Sequence, residues 1–231
     1  MTAEPAPAEP EPESSRGDER PGLALFDFDG TLTRRDTVLP FLLGVCGNDS
    51  FPRLTMAAAR AFAGGADTRR DAAKGAVIMH ALQGRAHSEV QAVGRAYARS
   101  VVKRALRPDA RARLEWHRTR GHRLALVSAS LEPYLTVVAE HLAIDTCLCT
   151  RLEVDGSGVL TGSMLGPNCR GAEKARRVRE VFELETFEVW AYGDTSGDES
   201  LLALADHPVW VGRRARRVSQ GSQGNSTSRT G

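Results

Sequence analysis

Short runs of apolar residues recur along the chain, and the segments between them carry apolar residues at helical spacing. Runs of this length, three to six residues, are typical of buried strands. Strands that alternate with helices are typical of a parallel sheet with helices on both faces. The pattern therefore predicts an α/β fold with a doubly wound parallel sheet. The predicted strands span residues 23–26, 124–127, 146–151, 188–192 and 209–211.

Proline and glycine mark the ends of several helices between these strands. We predict a helix over residues 108–120 that stops at Gly121, because glycine is common just after a helix end. A second helix starts near Pro133, a favourable residue in a first turn, and a third spans residues 173–182. Residues 152–160 place two apolar runs around an Asp-Gly pair, which predicts a β-hairpin.

The stretch from residue 34 to residue 106 differs from the rest because it is rich in alanine and has no strand signal. It predicts several helices in series, the last of which starts near Ser88 and Glu89. A helical insertion after the first strand indicates a cap domain over a catalytic sheet. We therefore expect a core of residues 22–33 and 107–212 with a helical cap of residues 34–106.

Both ends of the chain have compositions that do not support a packed core. Residues 1–21 are rich in proline and glutamate, and residues 213–231 begin with arginines and continue with small polar residues. We predict that both tails are disordered. The arginine cluster of the second tail favours a solvated segment, with peripheral contact to an anionic membrane as the less favoured alternative.

Composition narrows the class of protein. A chain of 231 residues fits one domain with or without an insertion, and a net charge of +2 gives no argument for a nucleic-acid partner. The four cysteines form no C-x-x-C pair and have no histidine at zinc spacing. No apolar run approaches the roughly 18 residues of a spanning helix, and the first residues are not typical of a signal peptide. We therefore expect a cytoplasmic protein, whose oligomeric state the sequence does not indicate.

Two acidic residues, Asp27 and Asp29, directly follow the first predicted strand. Open α/β sheets bind their ligands at this carboxyl end, and residues two apart on a strand point to the same side. Gly30 and Thr31 follow as a tight turn whose backbone N–H groups are suited to an oxyanion. Taken alone, the same residues fit a helix cap and a turn equally well.

Three later segments change that balance. Ser128 ends the second predicted strand, and Lys174 lies near the start of a helix. Asp194 and Asp198 follow the strand at residues 188–192, within the segment Gly-Asp-Thr-Ser-Gly-Asp. Each alone fits a strand-end cap or a surface lysine. Their common order, each at a strand end or helix start, indicates one site.

These four segments closely resemble the four motifs of the haloacid dehalogenase superfamily of phosphohydrolases. The most similar branch is the one that contains phosphoserine phosphatase, subfamily IB. The matching residues, Asp27-Phe-Asp-Gly-Thr, Ser128, Lys174 and 193–198, cover residues 22–212 almost from end to end. The resemblance implies a Rossmann-like core with an inserted helical cap. It also implies a Mg²⁺-dependent phosphatase for a small-molecule or lipid-headgroup phosphomonoester.

The resemblance assigns a role to each acidic residue. Mg²⁺ would be held by Asp27, the backbone carbonyl of Asp29, and Asp194, since hard oxygen ligands suit this ion. Asp27 would be the nucleophile that forms an aspartyl-phosphate, and Asp29 the general acid and base. The presence of an acid at position 29 favours a phosphatase or phosphomutase over the dehalogenases and transport ATPases of the same fold.

The remaining motif residues would bind the phosphoryl group or support the metal. Ser128 would donate a hydrogen bond to the phosphoryl oxygens, next to the backbone of Gly30 and Thr31. Lys174 would hold the same group as a point charge and restrain Asp27. Asp198 would support the metal ligands from one layer further out.

Substrate choice is expected to come from the cap and its entrance. Asp36 aligns with a glutamate that contacts substrate in phosphoserine phosphatases, and Ser128-Ala-Ser130 replaces their usual Ser-Gly-Gly. Both differences argue against phosphoserine. Residues 166–174 are more similar to phosphatidylglycerophosphatase-like relatives, which permits a lipid or polyol phosphate. Four arginines near the cap are candidate anion contacts, although solvated surface arginines are the favoured interpretation: Arg34, Arg35, Arg69 and Arg70.

Two other functions stay open on the same residues. A phosphotransferase or phosphomutase would use the same site and pass the phosphoryl group to an organic acceptor. A non-catalytic phosphate-binding protein would typically have lost one or more of the acids. Because this chain keeps all of them, the sequence favours an enzyme.

Overall fold

The computed structural model describes residues 20–47, 52–53, 56, 75–78 and 80–212. A five-stranded parallel sheet lies at its centre. The strands of this sheet are β1 (Gly22–Phe26), β2 (Arg123–Leu131), β3 (Thr146–Thr150), β6 (Glu188–Gly193) and β7 (His207–Trp210), and their order in the sheet is β3-β2-β1-β6-β7. The predicted α/β class and parallel sheet are therefore confirmed.

The strand predictions differ from the structure mainly at the ends. The second strand continues four residues beyond the predicted end, to Leu131, and therefore includes Ser128 and Ser130. The last strand begins at His207, two residues before the predicted start. Pro208 lies inside it without loss of a central hydrogen bond, because β7 is an edge strand of the sheet.

Helices connect the strands at nearly the predicted positions. The helix from Pro108 ends at Thr119, just before Gly121, and the other two predicted helices start within one residue of expectation. The helices are α1 (Val38–Cys46), α2 (His87–Arg104), α3 (Pro108–Thr119), α4 (Glu132–His141), α5 (Ala172–Val181) and α6 (Glu199–Leu202). Residues 75–78 and 80–82 are also helical.

The start of α2 corrects one detail of the sequence interpretation. The residue at the helix cap is Ala86, and no side chain caps the helix there, so Ser88 is an ordinary first-turn residue. Ala86 instead pairs with Val159 in an isolated antiparallel bridge, and the amide of His87 donates to the carbonyl of Gly158. Contact with the hairpin turn therefore replaces the expected side-chain cap.

The hairpin predicted at residues 152–160 is present as a separate two-stranded sheet. Its strands are β4 (Leu152–Val154) and β5 (Leu160–Met164), which pair antiparallel. Asp155 organises the turn, since its Oδ1 accepts from the amides of Ser157 and Val159. β5 begins at Leu160, which is the last residue of the predicted hairpin, so the structure extends the hairpin beyond the predicted range.

Two apolar clusters cover the two faces of the parallel sheet. Alternate residues of β1 belong to different clusters, as the two-residue period of a strand requires. Ala24 and Phe26 pack in the cluster that includes residues of α2 and α4, and Leu23 and Leu25 pack in the cluster that includes residues of α5 and α6. This double covering explains why the strands consist of continuous apolar runs.

The segment 34–106 leaves and rejoins the core at one place. Thr33 and Leu106 form an isolated antiparallel bridge, and the amide of Arg107 donates to the carbonyl of Leu32. An inserted cap requires such a junction, although the division into domains stays a prediction. Residues 1–19 of the first predicted tail and all of the second lie outside the described residues. Arg20, at the end of the first, forms an ion pair with Asp206.

Candidate active site

The carboxyl ends of β1, β2 and β6 bring the motif residues to one edge of the sheet. Asp27 follows β1, and its amide donates to the carbonyl of Tyr192 on the neighbouring β6. Ser128 lies near the end of β2, and Asp194 directly follows β6. The structure thus places residues that are far apart in sequence around a single cavity.

Lys174 is the cation at the centre of this site. It is only 2% exposed, and its Nζ donates to Asp27 Oδ1 at 2.5 Å and to Asp198 Oδ1 at 2.6 Å. Burial acts to lower the pKa of Lys174, but the two carboxylates outweigh burial and raise it. A buried ammonium with two carboxylate partners stays charged, and it fixes the orientation of Asp27.

The loop from residue 194 to residue 198 is organised by Asp198. Its Oδ2 accepts from the amides of Asp194 and Thr195, and from the Thr195 hydroxyl, at 3.0–3.2 Å. Both oxygens of Asp198 therefore already have partners, one set on the loop and one on Lys174. Asp198 accordingly holds the loop that presents Asp194.

Asp29 accepts two short hydrogen bonds from hydroxyl groups, and a third hydroxyl, that of Thr33, lies 3.5 Å from its Oδ1. Ser130 Oγ donates to Asp29 Oδ2 at 2.7 Å, and Thr37 Oγ1 donates to Asp29 Oδ1 at 2.7 Å. Burial nevertheless raises the pKa of Asp29 to about 7, with the hydrogen bond from Ser130 as the largest opposing effect. A carboxyl group with a pKa near neutrality is suited to both donate and accept a proton.

The residues of the site fit a divalent cation. Carboxylate oxygens of Asp27, Asp194 and Asp198 all lie within 4.8 Å of one another. Across the described ranges, Asp194 Oδ1 is one of two buried side-chain atoms with no hydrogen-bond partner, the other being Thr31 Oγ1. Burial raises the pKa of Asp194 to about 6, with Asp27 as the next cause. Mg²⁺ prefers oxygen ligands, and this cluster offers closely spaced carboxylate oxygens, one of which has no hydrogen-bond partner.

The two residues of the turn after Asp29 have different surroundings. Gly30 has a φ of +86° and lies against the Asp194 carboxylate, so it forms part of the cavity wall. The amide of Thr31, however, donates to the carbonyl of Phe28 and closes the turn. It is therefore not the free anion donor that we expected, because the backbone turn itself uses it.

Ser128 and Ser130 occupy the same face of β2 near the strand end. Ser128 is buried, and its Oγ accepts from the amide of Ser130 at 3.1 Å, which leaves its own hydrogen available to a ligand. The sequence interpretation named Ser128 but missed Ser130 as a partner of Asp29. The two-residue spacing on a strand that ends at the site was the signal that could have found it.

The cavity that contains these residues has a volume of about 710 Å³, which exceeds what a phosphoryl group fills. Arg34 and Arg35 line it, although solvated surface arginines were the favoured interpretation of the sequence, whereas Arg69 and Arg70 lie outside the described residues. Arg170, which sequence reasoning missed, also lines the cavity, beside Gly197. The apolar part of the wall comes from α1 and the helical residues after 75: Val38, Leu39, Leu42 and Val77.

Asp36 lines the same cavity but has a structural role at the start of α1. Its Oδ1 accepts from the amides of Val38 and Leu39, both at 3.1 Å. The first amides of a helix have no partner within the helix, so a carboxylate there is stabilising. Asp36 thus lies at the cavity with one oxygen already engaged by the helix, and contact with a substrate stays a prediction.

Fold and site together define an α/β enzyme whose paired aspartates and buried lysine lie at the carboxyl ends of parallel strands. A family model for haloacid dehalogenase-like hydrolases matches residues 24–203. The chain belongs to this hydrolase family, and the resemblance inferred from the motifs is confirmed.

One relative is similar in sequence, and two solved structures are similar in fold. The chain is 37% identical over 190 residues to the protein CicA of Caulobacter vibrioides, covering 80% of this chain and 84% of that protein. A protein of unknown function from Bordetella pertussis Tohama I has a similar structure, with a TM-score of 0.73 and 23% identity over 88% of this chain and 96% of that chain. A substrate-bound phosphoserine phosphatase has a TM-score of 0.60 and 19% identity over 89% and 99% of the two chains.

None of the helices in the described ranges has the length and apolar character needed to cross a membrane.

Proposed function

We propose that this protein is a Mg²⁺-dependent phosphomonoester hydrolase that works through an aspartyl-phosphate on Asp27. The observation that carries the proposal is the arrangement of Asp27, Lys174 and Asp194 in one cavity, with Asp29 next to them. Membership in a hydrolase family and structural similarity to phosphoserine phosphatases support it. The cytoplasmic location expected from the sequence stays a prediction.

The proposed first step is attack of an Asp27 oxygen on phosphorus, which breaks the bond to the ester oxygen. The Lys174 ammonium donates to Oδ1 of Asp27 and so orients this side chain, which leaves Oδ2 of Asp27 as the attacking atom. Asp29 gives a proton to the departing alkoxide, so the alcohol leaves neutral. Mg²⁺ held by Asp27, Asp194 and the Asp29 carbonyl would neutralise charge on the phosphoryl oxygens.

The proposed second step regenerates the enzyme. Water attacks the phosphoryl group on Asp27, and Asp29, now ionised, takes a proton from that water. The bond between the Asp27 oxygen and phosphorus breaks, and inorganic phosphate leaves. Ser128 is positioned to donate to a phosphoryl oxygen in both steps, since its hydroxyl hydrogen is not used elsewhere in the described hydrogen-bond network.

The cavity supports a substrate larger than phosphate itself. Within the described part of the chain, Arg34, Arg35 and Arg170 form no ion pair, and these residues line the same cavity as the apolar residues of α1. Such a wall suits a small-molecule or lipid-headgroup phosphate with a further polar or anionic group. The part of the substrate beyond its phosphoryl group would then contact this wall and decide which substrates bind.

The first experiment measures phosphate release from a panel of phosphomonoesters, with Mg²⁺ and with EDTA. The panel includes phosphoserine, sugar and polyol phosphates, nucleotides and phosphatidylglycerophosphate. Release that requires Mg²⁺ is expected for at least one class of substrate. Analysis of the organic product distinguishes hydrolysis from transfer to an acceptor, which is the phosphotransferase or phosphomutase alternative.

The Asp27→Asn variant tests the nucleophile in the same assay. It should bring release to background while leaving the fold intact, because the side chain keeps its shape and loses its nucleophilic charge. Asp155→Asn is the matched control, since it is the same substitution at a residue in an exposed hairpin turn. Substantial activity in Asp27→Asn would remove Asp27 from the proposed role, and no release by wild-type protein would leave a non-catalytic phosphate-binding protein.

A further inference from the structure

Two hydroxyl groups donate short hydrogen bonds to Asp29 from different parts of the fold, while the Thr33 hydroxyl lies farther from Asp29 Oδ1, at 3.5 Å. Ser130 belongs to β2 in the core, and Thr37 immediately precedes α1 in the segment predicted to form the cap. Each donates to a different carboxylate oxygen of Asp29, both at 2.7 Å. The carboxyl plane is therefore fixed at both oxygens, which a single hydrogen bond would not achieve.

Thr37 is itself held by two tyrosines. Its Oγ1 lies 2.8 Å from the hydroxyl of Tyr134 on α4, and the hydroxyl of Tyr97 on α2 donates to the Thr37 carbonyl at 2.9 Å. Because Thr37 has one hydroxyl hydrogen and gives it to Asp29, Tyr134 is the donor in the other bond. The chain of donors thus runs from Tyr134 through Thr37 to Asp29.

The tyrosines are in turn packed rigidly. Tyr134 has no exposed surface, and its ring packs against Phe41 of α1 and Tyr97 of α2, with centroids 4.9 and 5.3 Å away. Three helices therefore meet at Thr37. A buried hydrogen-bond network with every member satisfied holds a single arrangement of its groups.

We propose that Thr37 and Ser130 are positioning residues for Asp29, and that Tyr134 and Tyr97 act through Thr37. This inference rests on the proposed function, because it assigns them to the proton transfer that Asp29 performs there. With one lone pair on each oxygen occupied by a hydroxyl donor, the proton of Asp29 is directed toward the cavity. From there it would be given to the oxygen of the departing alcohol.

The proposal makes a specific claim about which substrates depend on Thr37. When the ester bond of an alkyl phosphate breaks, the alkoxide is strongly basic and needs the proton from Asp29. When the bond of p-nitrophenyl phosphate breaks, the nitrophenolate is stable without a proton. Misplacement of Asp29 should therefore slow the first step selectively for alkyl phosphates.

The experiment measures single-turnover rates of the first step with an alkyl phosphate and with p-nitrophenyl phosphate, at saturating Mg²⁺. Thr37→Val keeps the shape of the side chain and removes the hydroxyl, whereas Thr37→Ser restores the hydroxyl. We expect Thr37→Val to lose about 10- to 100-fold with the alkyl phosphate and less than about threefold with the aryl phosphate. Asp29→Asn should show the same selectivity in a stronger form, and Thr37→Ser should recover most of the loss.

Two further variants separate positioning from general damage to the fold. Tyr134→Phe removes the hydroxyl that donates to Thr37 and that also interacts with Ser130, and a smaller loss with the same selectivity is expected. Thr136→Val is the control, because the Thr136 hydroxyl donates to a backbone carbonyl within α4 and does not line the cavity. Its rates should match wild type for both substrates.

The possible outcomes are distinct. An equal loss for both substrates in Thr37→Val, without rescue in Thr37→Ser, would overturn the positioning role and leave the proposed hydrolase intact. A wild-type protein that releases neither alcohol nor nitrophenolate would instead overturn the proposed function, and this inference with it. Selective loss with rescue supports both.

Discussion

At the scale of single residues, the site depends on how closely backbone and carboxylates approach. Gly30 is the clearest case. Its φ is +86°, a region that residues with a side chain rarely adopt, and an added Cβ would lie 2.1 Å from Asp194 Oδ2. Only glycine allows the turn after Asp29 to lie against the proposed metal ligand.

Gly30→Ala should therefore weaken Mg²⁺ binding by displacing Asp194. We expect the Mg²⁺ concentration for half-maximal phosphate release to rise by about tenfold or more, in line with the effect of disturbed outer-shell groups. Gly158→Ala is the matched control, because Gly158 has a similar φ of +82° but open space around it. If both variants show the wild-type Mg²⁺ dependence, the close approach of Gly30 to Asp194 has no role in metal binding.

Which site residues could be read from the sequence follows from where they lie. Asp27, Ser128 and Asp194 all sit at or near strand ends, and strand ends are visible as the close of apolar runs. Thr37 and Arg170 lie at the site because other elements pack around it, so no local sequence pattern predicts them as site residues. Ser130 lies between these cases, because its spacing from Ser128 was visible but its partner was not.

At the scale of elements, α2 and α4 pack unusually closely where Gly94 faces Pro133. A Cβ on Gly94 would lie 2.0 Å from the Pro133 carbonyl oxygen, so the two helix surfaces touch at the backbone. This contact lies in the same helix pair that carries Tyr97 and Tyr134. Helix packing and the orientation of Asp29 are thereby linked through Thr37.

Gly94→Ala should destabilise the protein although alanine favours helices. Separation of the two helices is expected to lower the free energy of unfolding by about 1–3 kcal/mol, the range for overpacking. Gly44→Ala is the control in α1, where nothing lies within 4 Å, and it should stabilise by up to about 1 kcal/mol. Denaturant unfolding measures both. If both variants raise the free energy of unfolding equally, then α2 and α4 can separate without a loss of stability.

The same helices show the limit of element prediction. Helix and strand types followed from periodicity because each apolar face must be buried. The start of α2 could not be predicted from periodicity, because it is set by the bridge between Ala86 and Val159, which joins residues far apart in sequence. Helix starts fixed by such contacts have no capping residue to recognise.

At the scale of the whole molecule, the parallel sheet gathers negative charge at one edge. Burial raises the pKa of Asp29 to about 7 and that of Asp194 to about 6. When folding raises the pKa of an aspartate, its protonated form favours the folded state. The resulting stability is fully present below the ordinary value of 3.8, and it is lost as pH rises through the raised values. Ionised carboxylates at neutral pH therefore destabilise the metal-free protein.

Mg²⁺ should offset this loss, and more so at pH 8 than at pH 5.5, because the ligands must be deprotonated to bind it. At a Mg²⁺ concentration about 100 times the dissociation constant, a gain of about 2.7 kcal/mol corresponds to roughly 5–10 °C in Tm. His117, whose pKa burial lowers to about 4, changes stability with pH in the opposite direction, but it cancels in the difference with and without Mg²⁺.

Asp194→Asn provides the decisive comparison for this electrostatic account. In EDTA at pH 8 it should be more stable than wild type, because it removes a buried charge from the neighbourhood of Asp27. With Mg²⁺ it should gain little, since the ligand is gone. Thermal unfolding at both pH values, with Mg²⁺ and with EDTA, measures all of these differences. An equal Mg²⁺-induced rise in Tm at pH 5.5 and pH 8, or an undiminished rise in the variant, would mean that the ion binds away from this cluster of carboxylates.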